Sequence, residues 1–193
     1  MLDLLHKNIS QHVELKEKEF QQFAAPFRLK KFKRKDVLLY EGERCNFEGF
    51  VLNGCFKIYF LNENGQEQIL YFAVESWWIT DLDSLVNDVP SMLNIEALED
   101  SEVLLISKED KEKLYETLPH VEKVFRIMNQ RSSVALQRRI LSLMNKTADK
   151  RYLEFLEKYP GLEQRITQQQ VASYLGISHE FLSKIRKRIA LGN

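Results

Sequence analysis

The chain has 193 residues, 44% of them hydrophobic and 29% charged, with a formal net charge of zero, a balance that fits a soluble globular protein with one large core or two small ones. No apolar run approaches the ~20 residues of a membrane-spanning helix. The N-terminal MLDLLHKNISQH has Asp3 and polar residues from His6 onward, so it lacks the apolar segment of a signal peptide, and a cytoplasmic protein without membrane contact is expected.

Apolar residues at Leu2, Leu5, Ile9, Val13, Phe20 and Phe23 predict helix to about Ala24, ended by Pro26. In the next stretch, FRLKKFKR, the aromatic and aliphatic residues Phe27, Leu29 and Phe32 interleave with basic ones. That pattern reads as the solvated face of an edge strand rather than as a binding patch. From Phe27 to Ile106, short runs rich in Val, Ile, Phe and Tyr alternate with turn signals, as in an antiparallel sandwich or roll. Gly42 marks a bend. Asn53-Gly54 is a candidate hairpin between FEGFVL and CFKIYF. Asn64-Gly65, between CFKIYFLN and QEQILYFA, predicts another, with both turn residues at positive φ. Cys45 and Cys55 fit a reducing compartment and supply no disulfide framework.

Ser107, followed by acidic residues, predicts a helix start. Pro119 opens a long helical stretch, PHVEKVFRIMNQRSSVALQRRILSLMN, of roughly 26 residues and ~39 Å. Val124, Ile127, Val134 and Leu141 fall on a near-heptad row, interrupted by Arg131 and Arg138, which suggests a seam between two copies. The plainer alternative is a helix lying along the strand region.

From Asn145 onward the chain holds nine basic and five acidic residues, so a basic tail follows an acidic body. Within it, Thr167 and Gln170 have capping-box spacing, Val171 and Leu175 share a face, and Ala172 is small where a second helix would cross. Gly176 suits the end of this helix, and Ser178 caps the next. There Leu182, Ile185 and Ile189 form a buried stripe, while His179, Glu180, Ser183, Lys184 and Lys187 lie opposite. Two short helices joined by a glycine turn, the second polar and basic outward, form the helix-turn-helix pattern. Lys184 suits the acceptors of guanine, Glu180 the amino group of cytosine, and His179 either bases or phosphate. Thr167, Gln168 and Gln169 at the first helix start suit a phosphate. Arg186, Lys187 and Arg188 add attraction that salt weakens.

The run Ser178-His179-Glu180-Phe181-Leu182-Ser183-Lys184 resembles the recognition helix of the cyclic-AMP receptor/FNR (Crp–Fnr) superfamily, which typically reads Ser-Arg-Glu-Thr-Val-Ser/Gly-Arg. Both arginines are replaced, and Lys184 lacks the bidentate fork of arginine, so a different half-site is implied. LLYEGERCNFEGFVLNGCFKIYF resembles the family's strand region, with Gly42-Glu43 and Gly54 in place, and the stretch from Pro119 resembles its dimerisation helix. The resemblance implies an α+β fold in three parts. These are a cyclic-nucleotide-binding-like β-roll sensor over 1–118, a dimerisation helix over 119–144 and a helix-turn-helix domain over 145–193. The last is winged in many members, but LEKYPGLEQRIT is short for a wing.

The resemblance weakens at the sensor pocket. Nucleotide-binding members carry Phe-Gly-Glu-Leu followed by Arg-Ser-Ala; here WITDL and Ser91-Met92-Leu93 take those places. Thr80 replaces the glycine, Asp81 the ribose-binding glutamate, and Ser91 the phosphate-pairing arginine, so useful cyclic-AMP affinity is not expected. Trp78, Thr80, Asp81, Ser91, Met92 and Leu93 are the candidate effector pocket, with Trp77-Trp78 either lining it or packing the roll against the long helix. Two cysteines cannot ligate an iron–sulfur cluster, and the four histidines are scattered. None lies between His12 and His120 to build a cupin-type metal site, so no enzyme, catalytic residue, metal or cofactor is expected. The expected partners are double-stranded DNA, a second copy of the chain, RNA polymerase and a small-molecule effector of unknown identity. The competing reading is an effector-binding roll whose C-terminal hairpin engages a protein.

Overall fold

Two helices, not one, precede the strands. In the computed structural model, which describes residues 2–191, α1 spans Leu2–Ile9 and α2 spans Glu17–Ala24. The first ends where the N–H groups of His12 and Val13 both turn back to the Ile9 carbonyl. The second restarts where Glu19 accepts from the Lys16 N–H at 2.8 Å. Leu15, off the predicted stripe, is buried in the connection and resets the phase of the apolar pattern.

Eight strands follow: β1 (Arg28–Phe32), β2 (Val37–Leu39), β3 (Phe47–Asn53), β4 (Phe56–Leu61), β5 (Glu67–Ala73), β6 (Trp78–Ile79), β7 (Asn94–Ala97) and β8 (Ser101–Ser107). They form two four-stranded sheets, ordered β1-β8-β3-β6 and β2-β7-β4-β5. Strand β1 is an edge, paired only with β8, and its lysines meet acids of the same sheet end: Lys31 bonds Glu102 and Lys33 bonds Asp100, each at 2.7 Å. The basic run is therefore a solvated, charge-paired edge.

Asn53-Gly54 does not make a hairpin. Strand β3 belongs to one sheet and β4 to the other, so this turn carries the chain between them. Gly54 has φ +99°, and a Cβ there would stand 2.0 Å from the Ser101 hydroxyl oxygen. The turn needs glycine for both its backbone conformation and its space. The β4–β5 connection is a hairpin, but a longer one than predicted. Only Gly65 has positive φ, and the Asn62 side-chain oxygen accepts from the N–H groups of both Asn64 and Gln66 at 3.0 Å. An asparagine two residues before the pair, rather than the pair alone, builds this loop.

Two apolar layers hold the roll. Between the sheets lie Phe32, Val51, Phe56, Ile58, Ile79, Ile95 and Val103. On the outer face of the first sheet, Phe50, Leu104 and Ile106 meet Leu5, Ile9, Phe20, Phe23 and Phe125 from helices. Helix α3 (Leu82–Asn87) interrupts the strands, and α4 (Lys108–Thr117) starts at Ser107, whose hydroxyl accepts from the Asp110 N–H at 3.0 Å. Pro119 opens a single 3-10 turn, and α5 (Glu122–Asn145) begins three residues later than the sequence suggests.

After α5 come α6 (Ala148–Lys158), α7 (Gln168–Leu175) and α8 (His179–Ala190). The chain divides into two compact units: Met1–Phe60 with Tyr71–Arg131, and Leu61–Leu70 with Ser132–Asn193. The division falls within α5 rather than at its ends, and the β4–β5 hairpin end belongs with the C-terminal helices. The predicted seam row divides likewise. Val124 is buried in the helix-facing layer of the first unit, whereas Val134 and Leu141 are exposed in the second, with Leu136, Ile140, Leu143 and Met144 around them. Val124 is thus a core residue, because helices and sheet cover the start of α5. Among the described residues, no helix is long and apolar enough to cross a membrane.

Candidate nucleic-acid interface

Helix α7 begins with a complete capping box. The Thr167 hydroxyl accepts from the Gln170 N–H at 3.2 Å, and the Gln170 side chain accepts from the Thr167 N–H at 2.8 Å. Both bonds satisfy donors that a helix start leaves open. It ends at Gly176 (φ +67°), whose N–H returns to the Ala172 and Ser173 carbonyls, while the Ile177 N–H also reaches Ala172. Ser178 then starts α8 by accepting from the Phe181 N–H at 3.2 Å. The four devices at Thr167, Gln170, Gly176 and Ser178 fix a short turn between two helices.

The pair is anchored on one side. Leu182 and Ile185 of α8 are buried, as are Val171, Ala172, Tyr174 and Leu175 of α7. Phe155 lies 5.4 Å from both the Tyr159 and Tyr174 rings, extending an aromatic core under the pair. On α8, Glu180, Ser183, Lys184 and Lys187 are exposed at spacings of three and four, so they share the face opposite the anchors. His179 is exposed beside this face. Arg186 is half-buried on one flank. Arg188 sits on the other flank and is ion-paired with Asp149 of α6, so its charge is directed to the scaffold. Thr167, Gln168 and Gln169 are exposed at the start of α7, and Ser178 is exposed at the turn. The Glu180 carboxyl lies below its ordinary range, chiefly through its own N–H and then the Ser178 hydroxyl, so it is an acceptor at neutral pH.

Between α6 and α7 the expected site of a wing holds no strand. Gly161 (φ +74°) starts a 3-10 turn over Leu162–Gln164, and buried Leu162 pins it. Nearby Lys158 is exposed as a residue, yet desolvation of its ammonium first, then the Arg139 charge, lowers its pKa from 10.5 to about 8. The unfolded chain therefore binds more protons than the folded one between about pH 8 and 10.5, and stability rises with pH across that window. Lys158→Met is expected to flatten this rise, seen as the difference between wild-type and variant melting temperatures measured from pH 7.5 to 10.

The candidate effector residues fall into two groups. Trp78 belongs to the outer, helix-facing layer: its ring lies 5.1 Å from Phe50 and 5.7 Å from Phe125, and its Nε1–H donates to Asn8 at 3.1 Å. It packs the sheet against helices and is separated from the other five. Asp81 and Ser91 meet as a buried pair. The Ser91 hydroxyl donates to one Asp81 oxygen at 2.6 Å, while the other accepts from the Asp83 and Ser84 N–H groups and so caps α3. Thr80 donates to the Phe47 carbonyl at 2.8 Å, Leu93 packs against the inter-sheet layer, and Met92 is exposed. Tyr71, unforeseen from the sequence, completes the cluster. Its hydroxyl reaches the Thr80 carbonyl, and burial first, then Asp81 and Cys45, raises its pKa strongly. The cluster presents no cationic side chain for a phosphate. Among the described residues, no three His, Cys, Asp or Glu side chains gather to hold a metal ion.

Residues 29–117 match the family model of the cyclic nucleotide-binding domain. No curated protein matches the sequence. The fold matches the c-di-GMP responsive global regulator CLP of Xanthomonas campestris with a TM-score of 0.72 at 16% identity, over 92% of this chain and 93% of that one. FixK2 of Bradyrhizobium japonicum aligns with a TM-score of 0.74 at 19% identity, over 86% of this chain and 85% of that one. The catabolite activator protein of Thermus thermophilus aligns with a TM-score of 0.59 at 21% identity, over 96% and 87%. Residues 29–117 therefore resemble a cyclic nucleotide-binding domain, and the chain shares the fold of these three proteins.

Proposed function

We propose that the protein is a homodimeric, sequence-specific DNA-binding transcription regulator that does not respond to cyclic AMP. The carrying observation is the row Glu180, Ser183, Lys184 and Lys187, exposed opposite buried Leu182 and Ile185 on a helix held by a capped, glycine-turned partner. That row offers donors and an acceptor to base edges in the major groove, and the start of α7 offers N–H groups to a phosphate. The exposed Val134, Leu136, Ile140, Leu141, Leu143 and Met144 support pairing of two α5 helices, since an apolar surface of this extent favours a covering partner. Two readers on one dimer would enter successive major grooves ~34 Å apart. The Asp81–Ser91 pair supports the lack of a cyclic-AMP response: a phosphate there would meet a carboxylate instead of an arginine. RNA polymerase and a small-molecule effector complete the proposed partners.

The test is titration of promoter fragments, with and without cyclic AMP, at two salt concentrations. Sequence-selective binding of two chains per duplex is expected, weakening with salt and indifferent to the nucleotide. Lys184→Ala is expected to weaken the selected site by about 1–3 kcal/mol and to relax preference at one base position. Binding that ignores sequence would favour a protein-interaction role for the hairpin.

A further inference from the structure

The end of the β4–β5 hairpin is fastened to the helix-turn-helix. Ser173, on the outer face of α7, donates from its hydroxyl to the Glu67 carbonyl at 2.6 Å and accepts from the Ile69 N–H at 3.1 Å. Arg139 of α5 donates to the Ile69 carbonyl at 3.1 Å and to the Tyr174 carbonyl at 2.7 Å, with its guanidinium 3.9 Å from the Tyr174 ring centre. Ile69 is buried in this contact, while Glu63 and Glu67 are exposed at the hairpin end. The hairpin residues Gly65 to Ile69 line one cleft with Thr167, Gln169, Gln170, Ser178, His179 and Glu180. These are the starts of both reader helices.

We propose that the hairpin end is a latch that competes with DNA for the reader. The inference rests on the DNA-binding reading above. A phosphate approaching the start of α7 or α8 enters the cleft that the hairpin already shares, and it meets the Glu67 carboxylate there, with Glu63 exposed farther along the same hairpin end. Ser173 forms the latch with one hydroxyl bonded on both sides, and Arg139 braces it by holding the Ile69 and Tyr174 carbonyls together. DNA binding then requires the hairpin end to leave, so any influence that loosens it raises DNA affinity.

The experiment measures affinity of the 193-residue chain for its selected operator, for wild type, Ser173→Ala and Glu63→Gln/Glu67→Gln, at fixed salt. Alanine suits a helix, so Ser173→Ala retains the fold, checked by circular dichroism. Losing both Ser173 bonds is expected to tighten operator binding by up to about tenfold, and protection of the Ile69 amide from hydrogen exchange falls in parallel. The double glutamine variant is expected to tighten binding without loss of that protection. Unchanged or weaker operator binding by Ser173→Ala, with Ile69 protection lost, would overturn the latch while leaving DNA binding itself standing. Absence of operator binding by wild type and both variants would instead overturn the reading on which the latch rests.

Discussion

Lys111→Met is expected to lower folding stability by about 3–5 kcal/mol, measured by denaturant unfolding at neutral pH. Lys111 on α4 and Glu48 on β3 form a 3.0 Å ion pair whose side chains are only 11% and 5% exposed. The Lys111 ammonium also lies 5.5 Å from the Phe125 ring centre, so it joins the strand, α4 and α5 in one place. Even with this partner, burial holds the Glu48 carboxyl above its ordinary range, opposed by Lys111, and its second oxygen has no hydrogen-bond partner. Removing the lysine leaves a buried carboxylate that must either remain charged at high cost or take up a proton. A carboxyl raised in the folded state contributes stability at low pH that is lost as pH rises through its folded pKa. The deficit of the variant should therefore shrink on acidification. Glu48→Leu combined with Lys111→Met is expected to recover much of the loss, since an apolar pair of similar volume carries no desolvation cost.

Leu182→Ala is expected to cost about 2–5 kcal/mol and to abolish operator binding while every side chain of the proposed reading face is kept. Leu182 is fully buried, and with Ile185 it forms the apolar attachment of α8. The Arg188–Asp149 ion pair of α8 is partly exposed and adds little. A cavity at Leu182 thus frees α8 from its base. Thermal unfolding and operator titration on the same sample check this, and Ser183→Ala, at an exposed neighbouring position, should leave stability within about 0.5 kcal/mol. Retention of both stability and binding in Leu182→Ala would show that the helix is held by other means.

What the sequence disclosed depended on how local the signal was. The devices at Thr167, Gln170, Gly176 and Ser178 each bond a partner no more than four residues away, so spacing alone located both helices of the pair. The Ser107 cap was legible for the same reason. Asn53-Gly54 misled because a glycine turn states only that the chain bends; Ser101, nearly fifty positions away, shows that it bends between sheets. Val124 misled because a heptad row carries no record of what covers its first turn. Trp78 could be read two ways, and only the neighbouring rings of Phe50 and Phe125 decide for packing. The role of Ser173 was invisible, since a half-buried helix serine has no sequence signature for a partner more than a hundred residues upstream.

The self-bonded Asp81–Ser91 pair has an evolutionary consequence. Restoring an arginine at position 91 would not recreate a nucleotide cradle, because the new cation would be drawn to Asp81. That same carboxylate holds the beginning of α3, so removing it to free the arginine would loosen the helix that shapes the site. A lineage carrying this arrangement would need several coordinated substitutions before any one of them improved phosphate affinity, and single changes would lose local order first.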